Sequence, residues 1–177
     1  MFDLVKKLFK KNESNLEEIG KTIAFEIYTA SMSLGATFHE RDNEIKGDLA
    51  HHVNEFIYIF LRYLSRTATI VRGRDASIKI WPCVVDYLVQ MLVLDTNLDA
   101  REKFIEYYSN EIIASNNYYS ERDDLKELEN EFLVVIAGKR ISKSNDWEEG
   151  GWELAMDLNK AGLKTLHLKE KIESINL

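Results

Sequence analysis

The chain has 177 residues, of which 45% are hydrophobic and 30% are charged, a balance typical of a folded domain and not of a disordered segment. Its formal net charge of −7 at pH 7 argues against general attraction to nucleic acid, so we expect no nucleic-acid partner. The single cysteine, Cys83, excludes an internal disulfide and any multi-cysteine zinc site, and its apolar surroundings predict an inert thiol.

Hydrophobic residues follow helical spacing almost throughout, and the one proline leaves room for long helices. We therefore predict an all-α, single-domain bundle of six or seven helices. No apolar run is long enough to span a membrane, and no secretory signal is visible. These features predict an intracellular, cytoplasmic protein.

Residues 1–12 are predicted to form a short basic amphipathic helix with four lysines on its polar side. Such a helix can lie on an anionic membrane, but folding back onto the acidic body of the chain is the favoured alternative. Ser14 and Glu17 then form a capping box that predicts a second helix. The apolar stripe of that helix is Leu16, Ile19, Ile23, Ile27, Ala30 and Leu34.

A third helix, predicted over residues 43–71, contains the best chemical candidate. Asp48, His52 and Glu55 share one face at helical spacing, and imidazole with carboxylate can bind a metal or move a proton. The alternative, which we favour, is that these three residues only form a polar flank beside the core. The Glu-x-x-His pairs of di-iron bundles and the His-Glu-x-x-His motif are both absent, so we expect no metal cofactor.

A basic island begins in the second half of this helix and continues past its end, in an otherwise acidic chain. Its members are Arg62, Arg66, Arg72, Arg74 and Lys79. Guanidinium groups in such a cluster can hold a phosphate or another anion. They can equally balance acidic side chains of the same protein, which is the more common role.

The fourth helix, predicted over residues 77–94, is apolar nearly all round. We therefore predict that its segment from Pro82 to Leu94 is the central element, with Pro82 in the first turn or at a kink. The side chains expected to be almost fully buried are Val84, Leu88, Met91 and Leu92.

Further along the chain, Asp99 with Glu102 is predicted to open a fifth helix, and "ASNNYYSER" at 114–122 is predicted to be a loop. Ser120 with Asp123 would then open a sixth helix. Trp147 and Trp152 flank a Gly-Gly pair. The two rings can form a protein interface, or, as we favour, cover the edge of the core where two helices meet.

The last helix is predicted over residues 152–177 and carries a heptad-like seam. The seam is Leu154, Leu158, Ala161, Thr165, Leu168, Ile172 and Ile175. It can pack within its own domain, which is the commoner case, or against a second copy as a weak homodimer.

No Gly-x-Ser-x-Gly, Walker loop or Gly-x-Gly-x-x-Gly motif is present, so nucleophilic and phosphate-loop chemistry find no support. The leading hypothesis is a non-enzymatic adaptor or inhibitor-type regulatory protein that works through a protein partner. The alternative is a metal- or small-ligand-binding bundle, or a hydrolase, with its site around Asp48, His52 and Glu55.

Overall fold

The computed structural model describes residues 2–40, 48–94, 97–122 and 167–176. These residues form five helices: α1 (Phe2–His39), α2 (Leu49–Arg72), α3 (Arg74–Leu92), α4 (Leu98–Arg122) and α5 (Leu168–Ser174). The prediction of an all-α fold is confirmed for this part of the chain. The predicted count of six or seven helices depends on residues outside it.

The first helix is continuous over 38 residues, so the predicted break before Ser14 is wrong. Ser14 has helical backbone and therefore cannot act as an N-cap, which needs a non-helical residue. No glycine or proline occurs between Phe2 and Ile19, so nothing in the sequence stops the helix. The predicted apolar stripe is confirmed: Ile23, Ile27 and Leu34 are buried, and Leu16, Ile19 and Ala30 pack against the core.

The central element is α2, which packs against each of the other four described helices. The prediction that the helix around Pro82–Leu94 is central is wrong. Val84 and Leu88 of α3 are fully buried as expected, but Met91 and Leu92 are only partly buried. Apolar side chains also lie on the outer side of α3. Its apolar composition therefore does not mean that the helix is buried on all sides.

The boundaries of α2 and α3 follow from local chemistry. Asp48 caps α2 by accepting a hydrogen bond from the backbone N–H of His51 at 2.8 Å. Gly73 separates the two helices with a φ of 87°, which a side chain would strain. Pro82 is the ninth residue of α3 and does not lie in the first turn, because the helix already begins at Arg74.

The fourth helix also runs further than predicted. It begins at Leu98, so Asp99 lies inside the first turn and does not cap it. It continues to Arg122, so the loop predicted over 114–122 is wrong, and Ser120 is helical and opens no new helix. The segment contains asparagine, serine and tyrosine but no glycine or proline, and those residues weaken a helix without ending it.

The C-terminal segment packs onto α1 and α2. His167 has left-handed backbone, with φ of 44° and ψ of 40°, so α5 starts at Leu168 and the predicted helix does not run unbroken through this point. Leu168, Ile172 and Ile175, the last three positions of the predicted seam, are buried in the core of the same chain. The other four seam positions lie outside the described residues.

Polar contacts secure this segment. The Arg72 guanidinium donates to the carbonyl oxygens of Glu173 at 2.5 Å and Ile175 at 2.8 Å. Lys171 forms an ion pair with Glu26 of α1. Arg72 therefore binds the C-terminal end of α5, where the backbone carbonyl groups have no hydrogen-bond partners within the helix.

Candidate functional site

One side of α2 carries a row of ionisable side chains inside the protein, the polar row of α2. It consists of His52, Glu55, Arg62 and Arg66, which are 0%, 2%, 6% and 2% exposed. At 100° per residue, Glu55, Arg62 and Arg66 lie within about 40° of one another around the helix axis. From the sequence, His52 and Glu55 were predicted to lie on a polar flank beside the core, and Arg62 and Arg66 in a basic island. Charges buried this deeply are stable only when they are paired, so the row fits a network that holds the core.

The three residues of the alternative hypothesis, a metal site, are not brought together. Asp48 is exposed and serves as the cap of α2, and the hydrogen bond from the N–H of His51 lowers the pKa of its carboxyl group. His52 and Glu55 are buried further along the same helix. Across the described ranges, no three His, Cys, Asp or Glu side chains are grouped so that they could hold a metal ion.

Histidine rings meet where the end of α1 approaches the start of α2. The ring centroids of His39 and His52 are 5.6 Å apart, and those of His51 and His52 are 6.0 Å apart. His39 was missed in the sequence because it comes from a different helix, and no spacing rule connects it to α2. Packing of the two helices is what places it beside His52.

The predicted basic island divides into residues with separate roles. Arg62 and Arg66 belong to the polar row of α2, whereas Arg72 binds the carbonyl end of α5. Arg74 is exposed at the first position of α3. The four arginines therefore do not converge on one surface that could hold an anion.

Two other predicted surfaces are only partly described. Trp147 and Trp152 lie outside the described residues. The backbone of residues 2–12 is helical and continuous with α1, but the side chains of the predicted basic helix are outside the description. In the described part of the chain, no helix combines the length and apolar content that crossing a membrane requires.

A cleft of about 350 Å³ lies between α1 and α3. Its lining residues are Lys21, Phe25, Tyr87, Gln90, Met91 and Leu94. Phe25 and Leu94 are 60% and 67% exposed, so the apolar walls of the cleft are open to solvent. None of the residues of the polar row of α2 lines it.

Two of the lining residues, Lys21 and Tyr87, form a small polar cluster with Glu17. The Tyr87 hydroxyl donates to Oε1 of Glu17 at 2.6 Å, and Lys21 Nζ lies 3.1 Å from the same oxygen. Lys21 Nζ also lies 4.9 Å from the centre of the Tyr87 ring. The hydrogen bond from Tyr87 and the contact with Lys21 lower the pKa of Glu17. A lowered pKa keeps this carboxyl group ionised, so its negative charge offsets the positive charge of Lys21.

Cys83, which was predicted from its apolar surroundings to be an inert thiol, lies on α3 four residues before Tyr87. Its Sγ donates to the carbonyl oxygen of Leu16 at 3.8 Å. Burial raises the pKa of the thiol, and the nearby carboxylates of Asp86 and Glu17 raise it further. A thiol held in its protonated form is a poor nucleophile, so the site has no activated cysteine.

The solvent side of α1 beyond the cleft is unusually free of charge. The α1 face consists of Thr22, Phe25, Thr29, Met32 and Ala36, all of which are exposed. Residues 22–37 would hold about five charged side chains at the average content of the chain, yet Glu26 is the only one in that sequence. Glu26 pairs with Lys171 of α5. An exposed helix face normally carries charges, so this one calls for a functional explanation.

Threonine hydroxyls on this face are satisfied by their own helix. Thr22 donates to the carbonyl of Glu18 at 3.0 Å, and Thr29 donates to that of Phe25 at 2.9 Å. A hydroxyl turned back to the helix leaves the methyl group of the threonine on the outside. The α1 face therefore presents mainly apolar atoms, and Phe25 joins it to the cleft.

Comparison with protein-family models, with curated proteins and with solved structures gives no match for this chain.

Proposed function

We propose that this chain is a non-enzymatic binding protein of the adaptor or regulatory kind, and that it contacts its protein partner through the α1 face. The observation that carries the proposal is the exposure of Phe25 and Met32, at 60% and 41%, in a stretch of α1, residues 22–37, whose only charged residue is Glu26. Large exposed apolar side chains that are contiguous mark surfaces for protein contact.

The shape of the cleft supports a protein partner over a small molecule. Small-molecule sites enclose most of the ligand surface, whereas Phe25 and Leu94 leave this cleft open along its walls. An open apolar cleft of this size suits one or two side chains of a docked helix. The neighbouring α1 face would then accommodate the rest of that helix.

The buried polar groups do not favour an enzyme. The polar row of α2 does not line the cleft between α1 and α3, and Asp48, His52 and Glu55 are not grouped so that they could hold a metal ion. Deeply buried arginines and a buried glutamate on one helix side fit a network that holds elements together. We therefore retain the binding hypothesis and do not propose the metal-site alternative.

Site-specific photo-crosslinking tests this proposal. A benzophenone amino acid would replace Thr29, at the middle of the α1 face, in the cells that naturally make the protein. We expect a covalent adduct of discrete mass after irradiation, and no such adduct when the same amino acid replaces Lys79, which is exposed on α3. Absence of an adduct from Thr29, with the protein folded and expressed, would argue against the α1 face as a contact surface.

A further inference from the structure

We propose that the element which binds the α1 face is an amphipathic helix of a different protein, with an apolar middle and a basic side chain near each end. This inference rests on the proposed function, because it names the chemical class of the partner for the same surface. Two carboxylates are its first support. Glu18 lies one turn before the α1 face and Glu40 lies one turn after it, and both are exposed.

These carboxylates lie on the same side of α1 as the face between them. At 100° per residue, Glu18, the α1 face and Glu40 fall within about 80° of one another around the helix axis. Glu40 follows the last residue of α1, but its N–H still donates to the carbonyl oxygen of Ala36 at 3.3 Å, so the helical register continues to it. At 1.5 Å per residue, the two carboxylates bound an apolar surface about 33 Å long.

Both carboxylates are available to a partner. Glu26, which also belongs to this part of α1, is paired with Lys171 of α5. Across the residues that the structure describes, the side chains of Glu18 and Glu40 have neither a hydrogen bond nor an ion pair. Charged groups at the rim of a contact surface attract partners of opposite charge, so these two positions call for basic groups on the partner.

Charge also decides between the kinds of occupant. An antiparallel second copy on this face would bring Glu18 of one chain opposite Glu40 of the other, and a parallel copy would bring each carboxylate opposite itself. An anionic membrane or a nucleic acid would likewise meet negative charge at both ends of the face. The net charge of −7 attracts a basic partner instead, and a helix with basic ends pairs with both carboxylates.

The spacing of the α1 face favours a helix as the contacting element. Its members follow each other at steps of 3, 4, 3 and 4 residues, which is the repeat of a helix that packs nearly in line with another helix. This row is separate from the stripe that α1 buries in its own core, which runs through Ile23, Ile27 and Leu34. A helix needs only one stripe to cover its own core, so the outer row is left for a partner.

The cleft fixes where the largest apolar side chain of the partner lies. Phe25 joins the α1 face to the cleft, and it is seven residues from Glu18 but fifteen from Glu40. A partner helix nearly in line with α1 keeps these intervals in either direction. Its apolar anchor is then about two turns from one basic residue and about four turns from the other.

Binding of designed peptides to the full-length protein tests the inference. The probe is a fluorescent helical peptide with leucines at heptad spacing, a phenylalanine anchor at the intervals given above and a lysine at each end. A matched peptide carries glutamate at both ends. We expect the lysine-ended peptide to bind at least about tenfold more tightly, and raised salt to reduce this difference. Equal affinities would overturn the inference.

Two double variants locate the effect on the protein. Glu18→Gln with Glu40→Gln should reduce the preference for the lysine-ended peptide to about twofold or less, because both attracting charges are removed. Glu102→Gln with Glu106→Gln, an equal change of charge at exposed positions on α4, should leave the preference unchanged. Circular dichroism and thermal melting would show that both variants are folded. Equal losses in the two variants would indicate general attraction to an acidic chain and would contradict the assignment to this face.

This inference and the proposed function can fail separately. If both peptides bind equally and Phe25→Ala weakens both, the α1 face binds helices but the basic-ended class is wrong. If neither peptide binds while the photo-crosslinker at Thr29 still captures another protein, the binding function stands with a partner of another kind. If the crosslinker also yields no adduct, both proposals are wrong.

Discussion

Gly20 of α1 lies so close to Cys83 of α3 that a β-carbon at Gly20 would sit 2.7 Å from Sγ of the cysteine. Real β-carbons do not approach a neighbour at that distance, so the two helices can pack this closely only because position 20 has no side chain. The close approach also places Tyr87 of α3 within reach of Glu17 of α1. The cleft and its polar cluster therefore depend on this contact.

Gly20→Ala should destabilise the protein, although alanine is the better helix former. The clash with Sγ is expected to cost about 1–3 kcal/mol, against a gain of about 0.5–1 kcal/mol from helix propensity. Denaturant unfolding measures the difference. In Cys83→Ala the nearest remaining side-chain atom is Cβ, at 3.7 Å, so the same substitution should no longer destabilise. Equal losses in both backgrounds would contradict the contact.

Arg72→Met should loosen the C-terminal segment. The substitution keeps an unbranched apolar side chain but removes the donors that bind the carbonyls of Glu173 and Ile175. Hydrogen bonds from charged groups contribute more than neutral ones, so we expect a loss of about 1–3 kcal/mol. Hydrogen exchange should become faster in residues 168–174. Arg74→Met, at an exposed neighbouring position, is the control, and equal effects of the two variants would argue against the capping role.

The helical class and the inner stripe of α1 could be predicted from the sequence because apolar spacing reports directly on helices that cover a core. The position of α2 could not. Glu55 was predicted to lie on a polar flank and Arg62 and Arg66 in a basic island, whereas each is buried. Whether a charged residue is solvated or paired depends on what packs against it, and one segment of sequence does not contain that information.

The ends of the helices were also difficult to predict from the sequence. Ser14 with Glu17 and Asp99 with Glu102 both match the capping-box pattern, yet Ser14 and Asp99 lie within helices. Asp48, the cap that is formed, lacks a Glu or Gln three residues later, so the capping-box pattern did not identify it. A capping pattern identifies residues that can start a helix, but only a break in the preceding helix makes them do so.

The α1 face could have been found from the sequence. Its five positions repeat at heptad steps, as the C-terminal seam does, but they interleave with the apolar stripe that the same helix buries. Two stripes on one helix resemble a single broad one until the structure shows which side faces the core. The C-terminal seam consists mostly of leucine and isoleucine, and three of these residues belong to the core.

Leu88→Ala should be far more damaging than Met91→Ala, although both lie on α3 and were expected to be equally buried. Leu88 is fully buried, so its truncation leaves a cavity and should cost about 2–5 kcal/mol. Met91 lies at the cleft and is partly exposed, so we expect about 1 kcal/mol. Denaturation midpoints at unchanged slope give the comparison. Similar losses for the two variants would contradict the assignment of α3 to an outer position.

The polar cluster at the cleft predicts a pH effect with a definite sign. The hydrogen bond from Tyr87, together with Lys21, lowers the pKa of Glu17 below its ordinary value of 4.5. A carboxyl group with a depressed pKa in the folded state stabilises the protein above its unfolded pKa. That contribution is lost as the pH falls from about 4.5 through the lowered pKa of the folded state. Because Glu17 is exposed, the effect on stability is small and is best followed at the residue itself.

Carbon-13 NMR titration of the Glu17 carboxyl measures this effect. In the wild-type protein the midpoint should lie below 4.5, and Tyr87→Phe should move it back toward that value, because the hydroxyl is the largest cause of the shift. Lys21→Met should move it in the same direction by a smaller amount. Lys103→Met, which removes an exposed charge from α4, is the control and should leave the Glu17 midpoint unchanged. A Glu17 midpoint that Tyr87→Phe leaves unchanged would show that the two helices do not hold this contact in solution.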